Sequence, residues 1–363
     1  MDLHALIRTE APAAERDRGL TSPVLTALAD HGLHRMLVPR RHGGLELGLP
    51  EWSSQVQELS RADASTGWTV MTTTISSSLA WYLPADSADE IFGDRRSVVA
   101  GTAAAIGTGV SADGGYRVSG HWGWGSAVPY SQWVIGGCVT PDGPRLAVYP
   151  RSDVTVHDTW HVAGLRATAS HEFSVSDAFV PAGRTALPGV TPPGTNGPLV
   201  RFPFFCLLAA GVASVGLGTA RRSVDEIEDL AVEKTPQHTT KRLAEQTGAQ
   251  IEIALMEARL SAARAFLDDE LRAVWELAEA GSPVPDAVKG RLRLACTFAS
   301  AEATEVTQKA FALGGGTSVF EASALQRCLR DAHAANQHTI VSRRLLETYS
   351  MVRLGLGPDT ARF

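Results

Sequence analysis

The sequence predicts an α+β fold in three parts: a helical region, a compact β region that closes as a barrel or sandwich, and a C-terminal four-helix bundle. Three observations carry this. Apolar residues recur at helical spacing through the first part of the chain and stop at Pro84. From about Ser97 the spacing shortens to short alternating or β-branched runs, with turn residues every eight to twelve positions. After a Pro/Gly-rich stretch, LPGVTPPGTNGP, helical spacing returns and continues close to the end of the 363 residues. The breaks divide the chain into 1–95, 96–185 and 186–363.

In TSPVLTALADHG, Ser22 suits a helix cap, Pro23 the first turn and Gly32 the end, while Val24, Leu25, Leu28 and Leu33 recur on one face. EWSSQVQELSRAD and STGWTVMTTTISSSLAWYL continue the pattern, and DSADEIFG adds a short helix ending at Gly93. The strand candidates are SVVAGTAAA, YRVSG, QWVIGGCV, RLAVYP, VTVHD and HEFSVSDAFVP, punctuated by turns at 113–115 and 141–144. Four helical runs follow, at roughly 203–234, 241–280, 286–313 and 322–356, with alanine-rich faces suited to close packing. No internal repeat and no low-complexity tail interrupts this order.

Composition excludes several classes. A formal net charge of -6 from mixed signs, with no basic block, argues against a nucleic-acid partner. The cysteines Cys138, Cys206, Cys296 and Cys328 lie far apart without CxxC spacing, against both a disulfide framework and a zinc site. The N-terminus lacks the apolar core of a signal peptide, and no segment is expected to reach the roughly 18 apolar residues of a membrane span. A cytoplasmic protein without a membrane partner is the expectation.

Three stretches could carry chemistry. His333 and His338 lie five residues apart in LQRCLRDAHAANQHTIVSRR. On one helix they would point about 140° apart and could not share a metal as an i, i+4 pair does. Each is open to reading as a hydrogen-bonded bundle histidine, though His338, between polar Asn336-Gln337 and apolar Thr339-Ile340-Val341, suits a half-buried ring with a tunable pKa. GHWGWGSAVPYSQW combines tryptophan faces for stacking, glycines that admit close approach and serine hydroxyls for hydrogen bonding. It fits an aromatic cofactor, or equally a tryptophan-rich core with glycine bulges. In AFALGGGTSVFEAS a helix stops at Gly314, Gly315 and Gly316 and the next begins near Ser323, a flexible cap or a phosphate seat. No GxGxxG follows a strand and no GxxxxGK[ST] occurs.

Across nearly its full length the chain resembles the acyl-CoA dehydrogenase fold, and within it the two-component (group D) flavin-dependent monooxygenases. The carriers are MLVPRRHGGLEL and LSRADASTGW, then DGGYRVSGHWGWGSAVPYSQWVIGG and WHVAGLRATASHEFSVSDAFVP, then ALGGGTSVFEASALQRCLRDAHAANQHTIVS. The resemblance implies that Trp124 lies beside a flavin ring and that Ser126 places its hydroxyl on flavin N5. It puts Ser170 near the flavin, and Gly314, Gly315, Gly316 and Lys234 on its phosphate side. His338 then faces the flavin C4a edge as a hydrogen-bonding group or base, while Trp68, Trp160 and His333 line the substrate pocket. Ser126 and His338 are the expected catalytic residues, with no metal.

The implied cofactors are reduced flavin (FADH2 or FMNH2) and O2, which react through a C4a-hydroperoxyflavin to hydroxylate an aromatic or related small molecule. The implied partners are that substrate, a separate NAD(P)H-dependent flavin reductase and further copies of the chain in a homotetramer. N-oxygenation of an amine or amino sugar is the first alternative. Acyl-CoA dehydrogenation is the second, disfavoured because Thr339 stands where the dehydrogenases have a glutamate base and LVRFPFFCLLAAG holds no acid at the other base position.

Overall fold

The computed structural model describes residues 2–360. The first part contains α1 (Leu3–Asp17), α2 (Ser22–Asp30), α3 (Leu49–Ala62), α4 (Ala64–Ser77) and α5 (Ala85–Phe92). α1 lacks a sequence signal because it buries only Ile7, Ala11 and Ala14 and carries Pro12 inside it. The start of α2 differs from expectation: Thr21 takes the cap position without a side-chain hydrogen bond, and Ser22 is already helical. Gly32 does follow the helix with φ +65°, a backbone that favours glycine.

Among the described residues, seven strands then form one hydrogen-bonded sheet: β1 (Val99–Ala112), β2 (Gly115–Gly125), β3 (Trp133–Thr140), β4 (Gly143–Pro150), β5 (Thr155–His157), β6 (His171–Pro181) and β7 (Thr185–Ala186). Their order is β5-β6-β2-β1-β3-β4-β7, antiparallel throughout except for the parallel β1–β3 pair. The sheet curls onto its own core. Trp122 of β2 lies 6.2 Å from the ring of Tyr149 on β4, three strands away in the order, where flat strands would be about 14 Å apart. The Trp122 indole also stacks on Phe173 at 5.2 Å. A Cβ at Gly107, Gly120 or Gly136 would collide with the Trp122 ring, which explains much of the glycine content here.

The last part holds α6 (Pro198–Arg201), α7 (Phe204–Glu233), α8 (Thr247–Glu279), α9 (Asp286–Gly314), α10 (Ala324–Ala335) and α11 (Leu345–Arg353). Two of the four expected runs are α7 and α9 to within one residue, while the run expected from 241 begins six residues later as α8, after a 3-10 turn at Leu243–Glu245. The fourth is broken: α10 ends at Ala335, a 3-10 turn follows at Thr339–Val341, and only then does α11 begin. α7 also corrects the membrane-span expectation, since over its 30 residues it is long and apolar enough to cross a bilayer. Its most apolar window is 78% buried in the protein, so its apolar character serves packing on all sides. One core joins α3, α4, α7, α8 and α9 with Val99, Ile135, Leu146 and Val148 of the sheet. All four cysteines are buried and free.

Candidate active site

Trp68 is set in place by the junction of α3 and α4. Asp63 ends one helix and caps the next, its carboxylate accepting from the Thr66 backbone N–H at 2.8 Å and the Thr66 hydroxyl at 2.9 Å. Gly67 then lets α4 press against Ser60 of α3, because a Cβ there would stand 1.9 Å from the Ser60 hydroxyl. One position on, the Trp68 indole is 9% exposed and donates its N–H to Ser126 Oγ at 3.1 Å.

Ser126 sits in a strained turn at the end of β2. Trp124 and Ala127 have φ of +56° and +63°, and across from them Leu165 and Ala169 have φ of +53° and +45°. Non-glycine residues in this left-handed region persist only where surrounding bonds hold them, and they concentrate at functional sites. Those bonds are present: Ser126 N–H donates to Trp124 O at 2.9 Å and Ala127 N–H to Thr168 O at 3.0 Å. A β2–β6 register shift between Trp122 and Gly125 turns the Trp124 side chain outward, where it is 76% exposed. Ser126 itself is buried, with its Oγ 2.6 Å from Ser170 Oγ, and Ser170 Oγ is in turn 2.6 Å from Thr168 Oγ1.

His338 comes to the same place from the bundle, not from a helix. It is the first residue outside the 3-10 turn Thr339–Val341, and its Nδ1 accepts from the Ile340 N–H at 3.2 Å. His333 and His338 therefore do not share the one helix that the sequence spacing predicts, because α10 stops before Asn336. The His338 ring lies 5.9 Å from the Trp68 ring, tilted by 55°. By surface area it is solvent-exposed, yet enough protein surrounds the ring for desolvation, first, and the Arg293 charge, second, to hold its pKa below the usual histidine value. Both effects favour the neutral ring. With Nδ1 accepting a backbone N–H, that neutral ring carries its proton on Nε2. Buried Arg293 steadies the turn by donating to Ile340 O at 2.7 Å and Phe205 O at 2.9 Å.

Lys234, at the end of α7, gathers the glycine run: its Nζ donates to Gly314 O at 2.5 Å and to Thr317 Oγ1 at 2.9 Å. Gly315 has φ +56°, and a Cβ on Gly316 would meet open space. Trp160 is half-buried and donates its indole N–H to Leu165 O at 3.0 Å, which ties it to the loop beneath Thr168. His333 stands exposed on α10. The structure thus joins Trp68, Ser126, Ser170 and His338 in one group, links Trp160 through Leu165, and places Lys234 with Gly314–Gly316 in a second group.

Thr168 and Arg293 belong to the first group without any motif to mark them. The only trace of Arg293 in the sequence is a charge inside the otherwise uncharged buried face of α9. Two clefts lie off this group. A polar one of about 600 Å³ is lined by Arg8, Glu58, Arg61, Arg222 and Asp225. The other, of about 210 Å³, is lined by His34, Thr69, Ala127 and Tyr130 and backs onto Trp68 and Ser126 through their chain neighbours. The exposed Trp124 indole and the open space at Gly123 suit one face of a planar heteroaromatic group, two residues before the buried Ser126 hydroxyl.

Comparison with known proteins places these observations. Residues 3–84 match the acyl-CoA dehydrogenase N-terminal domain and residues 210–343 the acyl-CoA dehydrogenase C-terminal domain. Indole-3-acetate monooxygenase of Pseudomonas putida is 34% identical over 334 residues, covering 90% of this chain and 85% of that one. The flavin-dependent monooxygenase oxygenase subunit HsaA of Rhodococcus jostii is 28% identical, covering 92% and 91% respectively. XiaF from Streptomyces sp., solved in complex with FADH2 and glycerol, superposes with a TM-score of 0.90 at 27% identity, over 98% of this chain and 93% of that one.

Proposed function

Because this chain belongs to the two-component flavin-dependent monooxygenases of the acyl-CoA dehydrogenase fold, we propose that it is an oxygenase component that hydroxylates a small aromatic molecule. The net reaction consumes ArH, O2 and a reduced flavin and yields ArOH, water and oxidised flavin. Bound reduced flavin supplies the two electrons and the site at which oxygen is activated. A separate NAD(P)H-dependent reductase regenerates it. We read the protein as a cytoplasmic homotetramer whose partners include neither nucleic acid nor membrane. The aromatic substrate class is supported by relatives named for indole-3-acetate, p-hydroxyphenylacetate and resorcinol.

The observation that carries this reading is the convergence of Trp68, Ser126 and His338 from three separate parts of the chain. Ser126 holds the N5 edge of the ring and Trp124 covers one face. Ser170 keeps the Ser126 hydroxyl in place. Lys234 and the amides around Gly314, Gly315 and Gly316 meet the phosphate side. His338, neutral with its proton on Nε2, donates a hydrogen bond to the reacting oxygen or to the substrate oxygen. Trp68 and Trp160 wall the substrate space and keep water from it, with His333 toward its rim.

The test is product against peroxide. With reduced flavin supplied by any reductase, phenols and indole acids are screened for hydroxylated product, and hydrogen peroxide is titrated in parallel. Ser126→Ala and His338→Asn should each shift the outcome from product toward peroxide, by roughly tenfold or more. Coupled hydroxylation at the wild-type level in both variants would remove these residues from the reaction.

A further inference from the structure

The buried hydroxyls of Ser126, Ser170 and Thr168 have only one consistent arrangement of protons. Thr168 Oγ1 lies 2.8 Å from Leu165 O, an oxygen that can only accept. Two oxygens at that distance without a proton between them repel, so the single Thr168 proton is committed to Leu165. Ser170 must then donate across its 2.6 Å contact to Thr168, which leaves Ser126 to donate across its 2.6 Å contact to Ser170. Ser126 meanwhile accepts from the Trp68 indole N–H at 3.1 Å. All it has left is one lone pair.

The acceptor at the end of this chain is itself immobilised. Leu165, at φ +53°, takes the Trp160 indole N–H on the same carbonyl at 3.0 Å, while its own N–H donates to Asp331 Oδ1 at 2.6 Å. Gly164, just before it, lies so close to α10 that a Cβ would stand 2.1 Å from Arg330 O. Leu165 O therefore cannot turn away and release the Thr168 proton.

We propose that Thr168 and the Leu165 carbonyl fix the direction of the Ser170 and Ser126 protons, so that Ser126 meets a ligand only as an acceptor and the site selects a ring edge bearing N–H. The proposal rests on the flavin reading above. A reduced flavin carries N–H at N5, whereas the oxidised ring presents a bare nitrogen lone pair there. The relay thus stabilises the reduced form, repels the oxidised one and favours release of spent cofactor. Thr168 is a positioning residue in this scheme.

The experiment measures dissociation constants of FAD and FMN in both redox states, the reduced forms anaerobically, together with the potential of the bound flavin. Wild type, Thr168→Val, Thr168→Ser and Ser170→Ala are compared. Wild type should bind the reduced form more tightly. The ratio of oxidised to reduced dissociation constants should fall about tenfold in Thr168→Val and in Ser170→Ala, as a freed Ser126 proton turns outward. That fall lowers the bound-flavin potential by about 30 mV, and Thr168→Ser should restore both values.

An unchanged ratio in Thr168→Val, or in Ser170→Ala should the first variant not fold, overturns the relay and leaves the monooxygenase reading standing. Equal binding of both redox forms by wild type does the same. Wild type that binds neither form overturns both.

Discussion

A buried histidine that takes no part in the proposed chemistry makes its own contribution to acid stability. His34 is 4% exposed, pairs its Nδ1 with Thr73 Oγ1 at 3.0 Å, and burial lowers its pKa from 6.5 to about 4. The folded state therefore binds fewer protons than the unfolded chain between those values. Its contribution is whole above pH 6.5 and is lost as pH falls toward 4, by about 3 kcal/mol at most. Urea titrations from pH 7 to 4 should show a shallower loss for His34→Gln than for wild type, and parallel curves would contradict the assignment.

At this scale the sequence singles out Trp68, Ser126, Ser170 and His338, because each stands in a recognisable local string, and the fold brings their side chains together. Thr168 lies within WHVAGLRATASHEFSVSDAFVP but carries no mark there, since its role arises only from the fold of the 165–170 loop. Arg293 was equally silent, because its acceptors Phe205 O and Ile340 O are 88 and 47 residues away.

At the scale of elements, the site depends on how closely α4 approaches α3. Gly67→Ala would place a methyl 1.9 Å from Ser60 Oγ and 2.8 Å from Ser60 Cα, so the helices must separate or tilt. We expect a loss of roughly 1–3 kcal/mol, seen as a lower Tm, and a larger peroxide fraction as Trp68 leaves Ser126. Gly248→Ala is the control, an exposed position in the first turn of α8 where a Cβ meets nothing within 4 Å; it should be neutral or mildly stabilising. Equal Tm losses in the two variants would refute the close-packing argument.

Most elements were legible for the same reason that they are stable: six strands and the long helices carry their period and their turn residues on their surface. The two-residue β7 is too short to have a period. The break after α10 was hidden because TIV continues the helical spacing of the preceding alanines, while the Ile340 carbonyl is in fact taken by Arg293.

For the whole molecule, the decisive property is that separate regions meet at one small group of side chains. α4 supplies Trp68, the sheet and its connections supply Ser126, Thr168 and Ser170, and the turn before α11 supplies His338. Fold class and family were readable from ordered motifs across the chain. The identity of the hydrogen-bond partners was not, because sequence spacing says nothing about which hydroxyl faces which across 44 or 58 residues.

The most direct measurement is rapid mixing of the protein, loaded anaerobically with reduced flavin, against oxygenated buffer, while the visible band of oxidised flavin is followed. Oxidised flavin should appear markedly later than in free solution, and Ser126→Ala should remove most of that delay. Reoxidation as fast as that of free flavin would contradict the account that this group of residues controls the reaction of reduced flavin with oxygen.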